Sequence, residues 1–167
     1  MTLNFARNFH LIAALLVSAL AFGIVAPSPA YACTLCSCST TASGASFGTY
    51  DPTSPAPKDT SGTVTINCTG LIALFGSVDI SASAGSSGNA AQRTMRQGIN
   101  TLNYNLYVNP ARSIVFGNGA GGTQRISTSL NGLLFFSQST FFYARLPANQ
   151  WARAGNYSDT IVITVAY

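Results

Sequence analysis

The sequence predicts an all-β sandwich, and three observations lead to that fold class. Short segments alternate apolar and polar residues and are separated by turn-forming residues, which is typical of strands with one buried face. Gly, Ser, Thr and Asn are frequent and Glu is absent, a composition that disfavours helices and suits strands joined by turns. Only residues 90–98 resemble a short helix, and an irregular segment or an edge strand fits them equally well.

Three segments with strict alternation are predicted to be strands, at residues 61–69, 77–83 and 101–110. The residues predicted to face the core are Val64, Ile66 and Cys68 in the first, Val78, Ile80 and Ala82 in the second, and Leu102, Tyr104, Leu106 and Val108 in the third. Residues 50–62 are rich in Pro and Ser, so we predict a loop there.

The remaining strands are predicted in the last third of the chain. Residues 113–122 read as a strand that runs into a glycine loop, and 124–130 and 139–147 as further strands, the second ending at Pro147. The phenylalanine pairs at 135–136 and 141–142 are predicted to place one ring on each face of a sheet. The closing strand, 158–167, is predicted to direct Ile161, Ile163, Val165 and Tyr167 to one face.

Residues 1–32 are predicted to be a secretory signal peptide, so the folded domain is predicted to comprise residues 33–167. An apolar run follows basic residues, and Ala-Tyr-Ala at 30–32 provides a small-x-small cleavage site. The apolar run is short for a membrane span and ends in prolines, so no membrane span is expected after cleavage. Cys33 follows the cleavage site directly, which leaves lipid attachment as an alternative.

The charged residues disfavour nucleic-acid binding and catalysis. The formal net charge is +4 and the basic residues are scattered, so no nucleic-acid partner is predicted. The sole histidine, His10, lies in the predicted signal peptide, which removes the usual general base and imidazole ligand. The carboxylates are four aspartates isolated in sequence: Asp51, Asp59, Asp79 and Asp159. Asp51 is predicted to form a turn, and Asp159 to accept hydrogen bonds from nearby backbone amides. We predict no enzymatic activity, no cofactor and no metal.

All four cysteines, Cys33, Cys36, Cys38 and Cys68, lie in the part predicted to be exported. Disulfides are the default in an oxidising compartment, and four cysteines allow three pairings that sequence alone does not distinguish. We favour Cys38–Cys68, which would tie the first strand to the second, with Cys33–Cys36 as a small local ring. A metal site, a redox pair and lipid attachment are the alternatives, although no helix that would activate a redox pair is predicted.

Several short motifs occur in order along nearly all of the predicted domain. They are Cys38 followed by FGTYDP (47–52), GTVTINCT (62–69), RTMRQG (93–98), LNYNLYVNPAR (102–112), VFGNG (115–119) and AGNYSDTIVITVAY (154–167). This set resembles the spore coat protein U family, whose members include the pilins of archaic chaperone–usher pili. The matching positions, expected to be structural, are Phe47, Gly48, Tyr50, Arg93, Met95, Tyr104, Leu106, Gly117, Gly155, Tyr157 and Asp159.

The resemblance implies an immunoglobulin-like, pilin-type β-sandwich that lacks its final strand. It implies three kinds of partner: a periplasmic pilus chaperone that lends a strand, an outer-membrane usher, and neighbouring pilin subunits that replace the chaperone's strand. Ile161, Ile163, Val165 and Tyr167 would form the edge that accepts the foreign strand, and the chain would end at Tyr167 because the next strand comes from another molecule. Export through the periplasm to the cell surface, to a fimbrium or to an extracellular coat is expected.

The sequence departs from the family pattern ahead of Cys38. Polymerising members carry an alternating apolar donor segment there, whereas residues 33–37 contain one large apolar residue, Leu35. Two expectations compete. The chain is a structural or adhesive tip or minor subunit of a surface fibre, or it is a free-standing secreted coat or cell-surface domain that binds glycans through exposed aromatic residues such as Trp151.

Overall fold

The computed structural model describes residues 36–70, 76–130 and 135–166. The predicted signal peptide, Cys33 and Tyr167 lie outside the described residues, so the expectations for them stay predictions. No helix in the described part of the chain has the length and apolar character needed to cross a membrane.

The described residues form eight β-strands and one short 3-10 turn. The strands are β1 (Cys36–Ala42), β2 (Lys58–Gly70), β3 (Gly76–Ala82), β4 (Arg93–Gln97), β5 (Asn100–Tyr107), β6 (Ile126–Leu130), β7 (Phe135–Leu146) and β8 (Ile163–Ala166), and the 3-10 turn is Gly85–Ser87. They assemble into a five-stranded sheet in the order β1-β2-β7-β5-β4 and a three-stranded sheet in the order β6-β3-β8, with antiparallel pairing throughout. The predicted all-β sandwich is confirmed.

One hydrophobic core joins the two sheets. The inward-facing residues predicted for β2 and β3 are confirmed: Val64, Ile66 and Cys68 on β2, and Val78, Ile80 and Ala82 on β3, are each at most 2% exposed. Strand β5 adds Leu102, Tyr104 and Leu106, and β7 adds Phe142, Ala144 and Leu146. Val108 packs against this core but lies beyond the end of β5. The period-2 pattern therefore predicts the buried faces of β2, β3 and β5 correctly.

Two segments that flank β5 in sequence, residues 90–98 and 113–122, can be compared with their predictions. Of the alternatives for residues 90–98, the edge strand is found, because Arg93 and Met95 pair with Tyr104 and Leu102. The strand predicted at 113–122 is wrong: Val115 and Phe116 form only isolated bridges. Phe116 N–H donates to the Leu106 carbonyl, and the chain then leaves for the other sheet, so this segment is a crossing between sheets.

Strand β2 begins at Lys58, inside the segment predicted to be a loop, because its first residues pair with the end of β7. The Arg145 guanidinium donates two 2.7 Å hydrogen bonds to the Asp59 carboxylate directly opposite. Hydrogen bonding to Arg145 is the main cause of a lowered Asp59 pKa. Further along, the Phe142 ring occupies the space that a Cβ at Gly62 would need. The Asp59–Arg145 pair and the close packing of the Phe142 ring on Gly62 together favour the extension of β2 to Lys58.

The disulfide Cys38–Cys68 is present, as favoured from the sequence. The two cysteines are directly opposite each other in the β1–β2 register, so the bond fastens the edge strand β1 to the core strand β2. Cys33 lies outside the described residues, and the pairing Cys33–Cys36 stays a prediction.

We expect the Cys38→Ser/Cys68→Ser variant to lose about 3–4 kcal/mol of unfolding free energy, because the bond closes a loop between residues 30 positions apart. Chemical denaturation of the purified domain under non-reducing conditions measures this. The matched control is Cys33→Ser/Cys36→Ser, which removes the same number of sulfur atoms and leaves the long loop closed. A midpoint for the first variant equal to that of the wild type would contradict the prediction.

Candidate strand-acceptor edge

Strand β8 lies at one edge of the three-stranded sheet and is paired on one side only within the described part of the chain. Its residues pair with β3, with Ile163 opposite Ala82 and Val165 opposite Ile80. The backbone N–H and C=O groups on its other side face no described strand. Such an edge is a template for hydrogen bonding to another extended segment.

The inward-facing side chains next to this edge are incompletely covered. Ile163 and Val165 on β8, and Ile161 just before it, are half-buried and pack against the core. Their neighbours on β3, Ile80 and Ala82, are at most 2% exposed. The alternation predicted for the closing strand is present, but its apolar face is only partly covered. Of the four residues expected at the acceptor edge, Tyr167 lies outside the described residues.

The inner face of β1 is also uncovered. The register places Cys38, Thr40 and Ala42 opposite Cys68, Ile66 and Val64, so these three residues of β1, termed the β1 inner row, face the same side as the core. Yet Thr40 and Ala42 are exposed and Cys38 is only half-buried. Thr40 and Ala42 are not among the residues predicted from the sequence to face inward, although their two-residue spacing from Cys38 indicates that they share its face.

The two uncovered surfaces lie on the same side of the sandwich. Residues 114–117 pair with β5, and Gly117 accepts a hydrogen bond from Ala82 N–H before the chain continues into β6. This route places β6 on the β5 side of the sandwich. Because β8 is at the opposite edge of the three-stranded sheet, it lies on the β1 side. We call the opening between β8 and the β1 inner row the acceptor cleft.

Asp159 fixes the position at which the chain enters β8. Its carboxylate accepts hydrogen bonds from the backbone N–H groups of Ser86 and Thr160 at 2.8 and 2.9 Å, and from the Tyr104 hydroxyl at 2.7 Å. The Thr160 contact agrees with the expectation of a local backbone amide, whereas the Ser86 and Tyr104 contacts come from segments that are distant in sequence. Burial, followed by the bond to Asp159, raises the Tyr104 pKa.

Arg93 is fully buried beside this anchor, which is unusual for a charged side chain. Its guanidinium donates to the Ser83 carbonyl twice, at 3.0 and 2.7 Å, to the Ala90 carbonyl at 3.0 Å and to Asn105 Oδ1 at 2.8 Å. Burial lowers the Arg93 pKa. These bonds hold the connection between β3 and β4 against β5, so β3, the partner of β8, has a fixed end.

Three other matched positions, Phe47, Tyr50 and Tyr157, make contacts through their aromatic side chains. The Phe47 and Tyr104 rings meet edge to face with centroids 6.1 Å apart. The Tyr50 hydroxyl donates to the Pro147 carbonyl and accepts from Gln150 N–H, which ties the β1–β2 loop to the end of β7. The Tyr157 hydroxyl donates to the carbonyl of Arg153 within its own loop.

The remaining matched residues occupy the core or tight backbone sites. Leu106 is buried in the core, and Met95 packs against it. Gly48 has a φ of +63°, a conformation that favours glycine. A Cβ at Gly117 would meet the Thr123 side chain, and one at Gly155 would meet the Gln97 amide. Gly117 lies at the crossing between sheets, away from the acceptor cleft.

The aspartates are engaged in separate local interactions. Asp51 accepts from the Thr53 backbone and hydroxyl, which confirms the predicted turn. Asp79 accepts from the Ser127 hydroxyl and lies 3.6 Å from the Arg125 guanidinium. Within the described ranges, no three His, Cys, Asp or Glu side chains are grouped closely enough to hold a metal ion. The site therefore offers backbone edges and apolar surface.

We expect Tyr104→Phe to reduce the loss of stability at alkaline pH. Burial raises the folded-state Tyr104 pKa above its usual value of 10.0, so its contribution to stability is complete below the unfolded-state pKa and is lost as the pH rises above it. Urea midpoints measured between about pH 8 and about pH 11 test this, since tyrosine ionises in that range. The wild type should lose more stability over the interval than the variant, and equal losses would contradict the assignment.

Comparison with known proteins gives a family and a fold. The family model described as the Spore Coat Protein U domain matches residues 24–164. No curated protein matches the chain. Among solved structures, the chain is similar to one in the crystal structure of the CsuC-CsuE chaperone-tip adhesion subunit pre-assembly complex from archaic chaperone-usher Csu pili of Acinetobacter baumannii, with 23% identity and a TM-score of 0.54.

That similarity covers 80% of this chain and 40% of the matched chain, so this chain corresponds to less than half of the matched chain's length. At this identity the likeness concerns the fold, and it agrees with the expected pilin-type, immunoglobulin-like sandwich. The family match extends over most of the sequence, from before Cys38 to the middle of β8. The protein therefore belongs to the Spore Coat Protein U domain family.

Proposed function

We propose that this protein is a non-enzymatic structural or adhesive subunit of a bacterial surface fibre of the chaperone–usher type, completed by a strand from another molecule. The observation that carries the proposal is the acceptor cleft, where inward-facing Ile161, Ile163 and Val165 are half-buried beside an edge with no described partner strand. Strand addition would hydrogen-bond to the β8 backbone and cover these side chains.

The energetic scale supports strand addition. Each apolar side chain that a donor strand buries contributes about 1.5–3 kcal/mol. Several such side chains together are comparable to the net stability of a small domain, about 5–15 kcal/mol. A subunit without a donor is therefore expected to be weakly stable and prone to edge-to-edge aggregation.

The proposed partners follow from the same cleft. A periplasmic chaperone would fill it first, and an outer-membrane usher would exchange that strand for one from a neighbouring pilin subunit. Family membership and the fold shared with a chain of a chaperone–subunit complex support this assignment. The predicted signal peptide supports export through the periplasm to the cell surface.

Within the fibre we propose a tip or minor position. The support is the fold shared with a chain of a complex between a chaperone and a tip adhesion subunit. Immunogold labelling of intact fibres tests this position: label confined to fibre ends agrees with it, and label along the whole shaft contradicts it.

We expect Ile163→Asp to reduce capture by the periplasmic chaperone at least tenfold, because the carboxylate would point into the apolar cleft. The matched control is Thr164→Asp, one position along the same strand, where the side chain is exposed. Recovery of the chaperone–subunit complex after periplasmic co-expression measures both. The milder variant Ile163→Ala should give an intermediate yield, which distinguishes a weakened cleft from a chain that does not fold.

Equal capture of Ile163→Asp and Thr164→Asp would contradict the proposed site. A wild-type chain that accumulates as a stable monomer in equal yield without the chaperone would contradict the proposed function as a whole.

A second candidate function is a free-standing secreted coat or cell-surface domain that binds glycans. It is favoured by the exposure of large apolar side chains, with Trp151 83% and Ile99 96% exposed. Exposed indole rings are suitable surfaces for stacking against sugars. This candidate requires a domain that unfolds cooperatively without any partner.

If the second candidate is correct, Trp151→Ala abolishes binding on a glycan array and leaves the unfolding midpoint of the isolated domain unchanged, because the side chain makes little contact with the core. Phe141→Ala, which removes a 56% exposed ring from β7, is the control for a general loss of exposed aromatic surface. Absence of glycan binding by the wild type eliminates this candidate.

A further inference from the structure

The two walls of the acceptor cleft differ in chemistry. The β8 wall is formed by Ile161, Ile163 and Val165, which are all aliphatic. The opposite wall, the β1 inner row, presents the Cys38 sulfur, then the Thr40 hydroxyl, then the Ala42 methyl. The cleft is therefore apolar except at one position near the middle of β1.

The orientation of Thr40 follows from the register. Thr40 is directly opposite Ile66, which is 1% exposed and belongs to the core. Directly opposed residues in an antiparallel pair project to the same face of the sheet, so the Thr40 side chain projects inward. Thr40 is nevertheless exposed, because no described strand of the other sheet covers it. Its neighbour Thr41 projects to the outer face.

A strand added beside β8 would change the environment of Thr40. In aligned sandwiches, a strand added to the edge of one sheet covers the edge strand of the facing sheet. The Thr40 hydroxyl, now in contact with solvent, would then be buried. A buried hydroxyl without a hydrogen-bond partner is unfavourable, whereas a polar side chain on the incoming strand would provide that partner.

We infer that the cleft selects an extended donor segment with apolar inward residues and one small hydroxyl-bearing residue, Ser or Thr, at the position that covers Thr40. This inference rests on the proposed function, since it concerns the occupant of the same cleft. In the partner strand, apolar residues would cover Cys38 and Ala42, and one polar residue would cover Thr40, which lies between them.

The test uses the purified complex of the full subunit with its chaperone. Six synthetic peptides are added to this complex. The parent peptide has Val at five inward-facing positions and Ser or Lys at the positions between them. Each of the other five peptides has Thr in place of one of the five Val residues. Incorporation of labelled peptide with displacement of the chaperone is measured. One of the five Thr peptides should incorporate about tenfold better than the all-Val peptide, the scale expected for satisfying one buried hydroxyl.

The subunit variant Thr40→Val, nearly identical in shape, should abolish that preference and favour Val at the same peptide position. The matched control is Thr41→Val on the outer face of the same strand, which should retain the wild-type preference. If all six peptides incorporate equally, or if the preference survives in Thr40→Val, the inference is wrong and the proposed function stands. If no peptide displaces the chaperone from the wild type, the proposed function itself fails.

Discussion

A sheet of three strands cannot cover the inner face of a sheet of five, and this mismatch determines how the rest of the described structure behaves. Strand β3 has neighbours on both sides, and its inward side chains are sealed in the core. At the β8 edge the side chains that face the core are only partly covered, and along the β1 inner row Thr40 and Ala42 are exposed. Apolar surface of this kind is unfavourable in water and favourable as a binding surface, so the same feature would account for both the weak stability and the strand addition that we propose.

The open edge is useful only if it is held in an extended and fixed geometry. Two residues provide this geometry through hydrogen bonds. Arg93 on β4 fastens the connection after β3, and Asp159 in the loop before β8 fastens the entry to β8. The disulfide Cys38–Cys68 does the same for β1 on the opposite side of the cleft. Under the proposed function, an incoming strand would meet two walls that are held in place by these bonds, which would lower the entropy cost of binding.

The aspartates in the described part of this domain form structural contacts. Asp59 pairs with Arg145 across two strands, Asp51 closes a turn, and Asp159 anchors β8. The proposed function depends on the backbone edge of β8 and on the shape of the acceptor cleft, and membership of the Spore Coat Protein U domain family agrees with it. Exposed apolar residues outside the cleft, including Trp151, form a separate surface that could contact a ligand such as a glycan.

The sequence by itself determined the fold class and the inward faces of β2, β3, β5 and β8, because a period of two is a local signal. An even cysteine count favoured disulfides, but the pairing Cys38–Cys68 was decided among three possible pairings only by the strand register. Tertiary structure decided the rest. Strand β2 is extended by a contact between Asp59 and Arg145, 86 residues apart, and residues 113–122 become a crossing because their neighbours belong to two sheets. Alternation shows which side chains face inward, but only the arrangement of the opposite sheet decides whether anything covers them, as the exposed and inward-facing Thr40 illustrates.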